Sequence, residues 1–88
     1  MSRPRFSLYL CGAALPRNRQ ARKRLETLLE SLYPEGVELR VVDIQSDPEA
    51  AESAGILAAP TLIRQWPEPV LRIIGDFSDA DGVRNLLE

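Results

Sequence analysis

The chain opens its first apolar group at Phe6-Ser7-Leu8-Tyr9-Leu10-Cys11, rich in β-formers and bounded by Arg5 and Gly12. This stretch predicts a first strand. Gly12 to Leu15 turns the chain, and Pro16 stands where a proline suits the first turn of a helix. Ala21, Leu25, Leu28, Leu29 and Leu32 then recur at spacings of three and four, predicting a helix as far as Leu32 that ends at Tyr33-Pro34-Glu35-Gly36. From Val37 to Ile44 the pattern alternates and becomes continuously apolar at Val41 and Val42, as in a strand covered on both sides. Glu38 and Arg40 fall on the polar face of that strand.

Asp47 reads as an N-cap and Pro48 as a first helical residue, so Ala50 to Ala54 predicts a short helix stopped by Gly55. Thr61 to Gln65 and Val70 to Ile74 predict two strands joined through Trp66-Pro67-Glu68-Pro69, a link too brief for a crossover helix and therefore antiparallel. Gly75 and Asp76 close the hairpin. Ser78 or Asp79 caps a last helix whose apolar face is Val83, Leu86 and Leu87. The resulting order, βαβαββα, is α/β and that of a single thioredoxin-like domain, over residues 6–88 behind a tail of 1–5. Ala-Pro-Thr before the third strand is where such folds place a cis proline, here Pro60, facing the end of the first strand.

Eighty-eight residues with 44% hydrophobic content suffice for one small core. One cysteine and no histidine leave no internal disulfide and no zinc site to brace it. The apolar run after the basic start Met1-Ser2-Arg3-Pro4-Arg5 is too short for a signal peptide, and no stretch approaches the roughly 20 apolar residues of a membrane span. A cytoplasmic chain with a reduced thiol is expected. Net charge is −2, but residues 1–24 hold seven Arg and Lys and no acid, leaving four basic and thirteen acidic residues beyond. Two unlike faces of this kind point to protein contacts, and a pI near 5.1 argues against a phosphate-tracking domain.

Cys11 is the one strong nucleophile candidate. The helix N-terminus with Arg17 or Arg19 would lower its pKa, yet Gly12-Ala13-Ala14 supplies no resolving cysteine. A small apolar residue at the strand end is the competing reading. The cluster Arg17, Arg19, Arg22, Lys23 and Arg24 opposes the helix macrodipole, as a bound anion or acidic partner would require or as a solvated face would tolerate. Trp66 reads equally as a partner anchor or as core cover. No phosphate loop, metal-ligand cluster or catalytic triad is present, so no cofactor and no metal are expected.

Leu8-Tyr9-Leu10, Val41-Val42-Asp43-Ile44, Asp47-Pro48, Ile56-Leu57-Ala58-Ala59-Pro60-Thr61-Leu62 and Pro67-x-Pro69-Val70-x-Arg72-Ile73-Ile74-Gly75-Asp76-x-Ser78 together resemble the KaiB family. The resemblance runs from Phe6 to Leu87. It implies a non-enzymatic partner of a KaiC-like ATPase ring, in a circadian clock or in stress signalling, or a sensor module of a histidine-kinase pathway. From the pI and the lack of a long apolar run, no nucleic acid and no membrane are expected among the partners. The resemblance further implies two states, an oligomeric resting fold and a monomeric thioredoxin-like fold, differing in the segment after Pro60. The expected partner surface joins Glu38 and Arg40 to Pro48, Glu49 and Glu52, with Pro60, Gly75 and Asp76 in structural roles. The chain departs from the family pattern at Gly55, where Lys is common, at Glu38 and Arg40, which replace the KaiA-associated residues, and at Leu86 and Leu87, where glycine breaks the last helix. A monothiol redox protein using Cys11 and the Pro60 loop is the alternative from another class.

Overall fold

The computed structural model describes residues 2–88, so that of the tail expected over 1–5, Met1 lies outside the described residues. The elements are β1 (Arg5–Leu10), α1 (Pro16–Leu32), β2 (Glu38–Asp43), α2 (Pro48–Ser53), β3 (Thr61–Trp66), β4 (Leu71–Ile74) and α3 (Ala80–Leu87). They follow the predicted order, with boundaries moved by one or two residues.

The four strands form one sheet in the order β2-β1-β3-β4. β1 pairs parallel with β2, which the seventeen-residue crossover through α1 permits, and antiparallel with β3. Strand alternation then decides the layers. Phe6, Leu8, Leu10, Leu62 and Ile73 point to the side covered by α1 and α3, where Ala21, Leu25, Leu28, Leu29, Val83 and Leu87 complete the main core. Tyr9, Val42 and Ile63 point to the other side, under α2, with Ala50, Ala54 and Ile56 packed on them. Val41 and Val42 therefore serve opposite faces of β2, which accounts for their unbroken apolar run.

The expected stop signals act locally. Asp47 caps α2 by accepting from the Ala50 N–H at 3.2 Å. Gly55, at φ +67°, closes α2 with its N–H on the Glu52 carbonyl and the Ile56 N–H on that of Ala51, a Schellman pair. Asp79, not Ser78, caps α3, accepting from Gly82 N at 3.0 Å.

Two expectations are corrected. Leu86 is 60% exposed, and the apolar partner of Val83 and Leu87 is Phe77, buried in the link before α3. Phe77 holds a left-handed backbone, φ +62°, which costs a non-glycine residue about 1–2 kcal/mol and is offset by burying the ring. Cys11, expected inside or at the end of the strand, lies just past β1 and is exposed.

Candidate functional site

The C-terminal end of β1 gathers the groups that a redox member of this fold would use. The Ala59–Pro60 peptide is cis, and Pro60 lines a hollow of about 290 Å³ together with Cys11, Arg17, Gln20, Arg24 and Asp76. The backbone around the thiol is tightly tied. Asn18, buried in α1, donates from Nδ2 to the carbonyls of Cys11 and Gly12 at 2.9 and 2.8 Å. Asp43, at the end of β2, accepts from the N–H groups of Gly12, Ala13 and Gln45 at 3.0 to 3.1 Å. The Ala13 amide first, then those of Gly12 and Gln45, hold the Asp43 carboxyl below the usual carboxylate range.

Chemically this end has one thiol and no partner for it. Gln45 Nε2 approaches Cys11 Sγ at 3.9 Å, and the chain has neither a second cysteine nor a histidine. Among the described residues, no group of three Cys, Asp or Glu side chains is placed to hold a metal ion. Arg24 lies 3.8 Å from the Asp76 carboxylate and reaches its carbonyl at 3.4 Å. Ser78, through its hydroxyl and its amide, and then Arg24 hold the Asp76 carboxyl low. The Gly75 N–H donates to the Pro60 carbonyl at 3.1 Å, so Pro60, Gly75 and Asp76 meet where β3 begins and β4 ends.

The expected partner surface lies elsewhere, on the α2 side of the sheet. Glu38 and Arg40 share their face of β2 with Val42, which α2 covers, and β2 is an edge strand. Pro48, Glu49 and Glu52 are exposed on α2, whose Ala51 is buried. The structure thus sets these five residues on one side of the sheet and leaves Cys11, past the end of β1, outside the group.

Three features escape the sequence reading. Arg64, on β3, is only 8% exposed; Nη1 donates to the Leu87 carbonyl at 3.3 Å and Nη2 to that of Pro69 at 3.2 Å. Its signal was available, because position 64 shares a strand face with core residue Leu62. Arg72 reaches from β4 to the carbonyls of Gly55 and Ala54, stitching the end of α2 to the sheet. Leu57 is 99% exposed beside half-buried Ile56, an inversion within one apolar run that no periodicity foretells.

A four-stranded mixed sheet with helices on both faces, a cis proline opposite the end of β1 and a lone thiol there define a thioredoxin-like domain without a dithiol. Solved structures agree on the fold: the N-terminal domain of Synechococcus elongatus SasA aligns at TM-score 0.80 and 17% identity, covering 99% of this chain and 81% of that one. Fasciola hepatica thioredoxin aligns at TM-score 0.70 and 20% identity, over 99% and 83%. The family model of the KaiB domain matches residues 7–88, and the chain belongs to the KaiB family. The circadian clock oscillator protein KaiB of Gloeothece citriformis is 42% identical over 78 residues, which are 89% of this chain and 73% of that protein. Its namesake in Prochlorococcus marinus (strain MIT 9211) is 43% identical over 78 residues, 89% and 68% of the two chains. No helix among the described residues is long and apolar enough to cross a membrane.

Proposed function

We propose that this protein is a non-enzymatic clock-type regulator that binds a KaiC-like ATPase ring by protein–protein contact. The observation that carries the reading is the KaiB-domain match over residues 7–88, on a fold whose thiol end has no second cysteine. The contact surface joins Glu38 and Arg40 of β2 to Pro48, Glu49 and Glu52 of α2. All five are exposed on one side of the sheet, where a ring subunit meets them without unfolding anything. Pro60, Gly75 and Asp76 act structurally, holding the start of β3 against the end of β4. A resting oligomer of the free chain belongs to the same reading and would appear as a concentration-dependent mass in light scattering.

The test is size-exclusion chromatography with light scattering, after prolonged incubation with a KaiC-type ATPase and nucleotide. Co-elution is expected, and Arg40→Glu should weaken it while changing unfolding free energy by less than about 0.5 kcal/mol, as at an exposed site. A chain that stays free under all nucleotide conditions would overturn the reading. The second reading, a monothiol redox protein, draws on the shared hollow of Cys11, Pro60, Arg17 and Arg24.

A further inference from the structure

Helix α2 covers only part of its side of the sheet. Cross-strand register arranges that side in rows: Val42, Tyr9 and Thr61 form the first, Arg40, Ser7 and Ile63 the next, and Glu38, Arg5 and Trp66 the last. A register shift at Arg5/Phe6 gives β3 one residue more than β1 there. Gln65 fills the extra position and donates from Nε2 to Ser7 Oγ at 2.8 Å. α2 reaches the middle row at Ile63, but Arg40 in that row and Glu38, Arg5 and Trp66 in the last stay exposed. These border a hollow of about 480 Å³ that includes Arg5, Glu38, Arg40 and Gln65, adjoining one of about 420 Å³ that includes Arg3, Arg5, Glu38 and Trp66.

Charge and exposure give this surface a definite chemistry. Arg3, Arg5 and Arg40 are exposed, and the carboxylate that lines the two hollows with them is Glu38. The ion pairs among the described residues are Arg22–Glu26 and Arg24–Asp76, and none of these three guanidiniums takes part in one. Beside them Trp66 keeps 37% of its surface in water and belongs to neither core cluster. Guanidiniums around a half-exposed indole are the composition of a protein-binding anchor, and their charge selects an acidic occupant.

We propose that this uncovered end of the sheet, Arg3, Arg5 and Arg40 around Trp66, binds an acidic segment of a partner protein with an apolar side chain against the indole. The proposal rests on reading β2 as a partner-binding strand, and it names the chemistry that the strand recognises. Two adjoining hollows suit a peptide segment better than a single small anion. A nucleic acid is disfavoured, because three cations on a chain of net charge −2 make a short patch and not a track along phosphates.

Trp66 is the only tryptophan, so its fluorescence reports the site directly. A glutamate-rich peptide with one central leucine, titrated into the intact protein, should give a saturable change. Raising NaCl from about 0.05 to about 0.3 M should weaken binding about fivefold or more, since screening shortens the reach of exposed charges. Arg5→Glu with Arg40→Glu should weaken binding at least about tenfold. The neutral pair Arg5→Gln with Arg40→Gln, with unchanged circular dichroism, should give a smaller loss in the same direction. Unaltered binding by the neutral pair would overturn the proposal, as would a lysine-rich peptide or an oligothymidylate binding as tightly as the glutamate peptide. The ATPase separates the two readings. Peptide binding without ring binding sinks only the ring, whereas ring binding indifferent to Trp66→Ala and Arg5→Glu but lost in Glu49→Lys sinks only this proposal.

Discussion

Arg64 is the one charged residue among those described that the fold removes from water. Its guanidinium meets two carbonyls and no carboxylate: Leu87 at the C-terminal end of α3, where the helix dipole is negative, and Pro69 in the β3–β4 link. Nε finds no partner. Truncation to Ala leaves both carbonyls unpaired and opens a cavity, so Arg64→Ala should cost about 2–4 kcal/mol in urea unfolding. Arg64→Met should cost less than half of that, because it fills the space and relieves the desolvation of a buried cation. Equal losses would mean that the charge itself stabilises the fold. Asp43 offers a test of pH dependence. Its folded pKa lies below the ordinary carboxylate value of 3.8, so its contribution is fully present above that value and is lost as pH falls through the folded one. Asp43→Asn should therefore be less stable than wild type at pH 7, with the gap closing in acid. Asp76, shifted in the same direction, leaves the variant some acid sensitivity of its own. Unfolding followed by Trp66 fluorescence across pH checks both statements.

Among the elements, the short helices depend most on their ends. α2 has six residues and α3 eight, below the length at which a helix holds itself in water, so caps and packing sustain them. In α3 the cap has a competitor. A Cβ at Gly82 would collide with the Asp79 carboxylate that accepts the Gly82 N–H. Gly82→Ala should accordingly change stability by less than about 0.5 kcal/mol, since the helix propensity gained, about 1 kcal/mol, is offset by the cap lost. Asp79→Ala alone should cost about 1 kcal/mol, and adding Gly82→Ala to it should recover most of that. A double-mutant cycle on thermal unfolding measures the coupling, and strict additivity would rule out the collision. The caps were legible because Asp47-Pro48 and Asp79 are local signals acting over three residues. Leu86 was not, because a helical stripe of Val83, Leu86 and Leu87 leaves the rotation of the helix free. Phe77, with its left-handed backbone and buried ring, settles it.

For the whole molecule, the sheet keeps the thiol end apart from the proposed partner surface. The thiol end carries Cys11 and Pro60, while the proposed surface lies on the side of β2 and α2. Cys11→Ser should therefore leave association with a KaiC-type ATPase unchanged in co-elution, within about twofold, since it alters no group on that surface. Loss of the complex would make the thiol end part of the contact. By itself the sequence determined the order βαβαββα, the polar face of β2, the two capped helices, the cis proline and the family. Each of these rests on periodicity, on local turn chemistry or on a contiguous motif, all carried by neighbouring residues. Tertiary structure alone decided that Arg64 is buried against Leu87 and Pro69, that Cys11 faces solvent, that Leu86 and Leu57 are exposed, and that α2 stops short of Arg5, Arg40 and Trp66. Those outcomes depend on which distant elements arrive at a position and how far they reach across the sheet, and a chain's local pattern holds no measure of either.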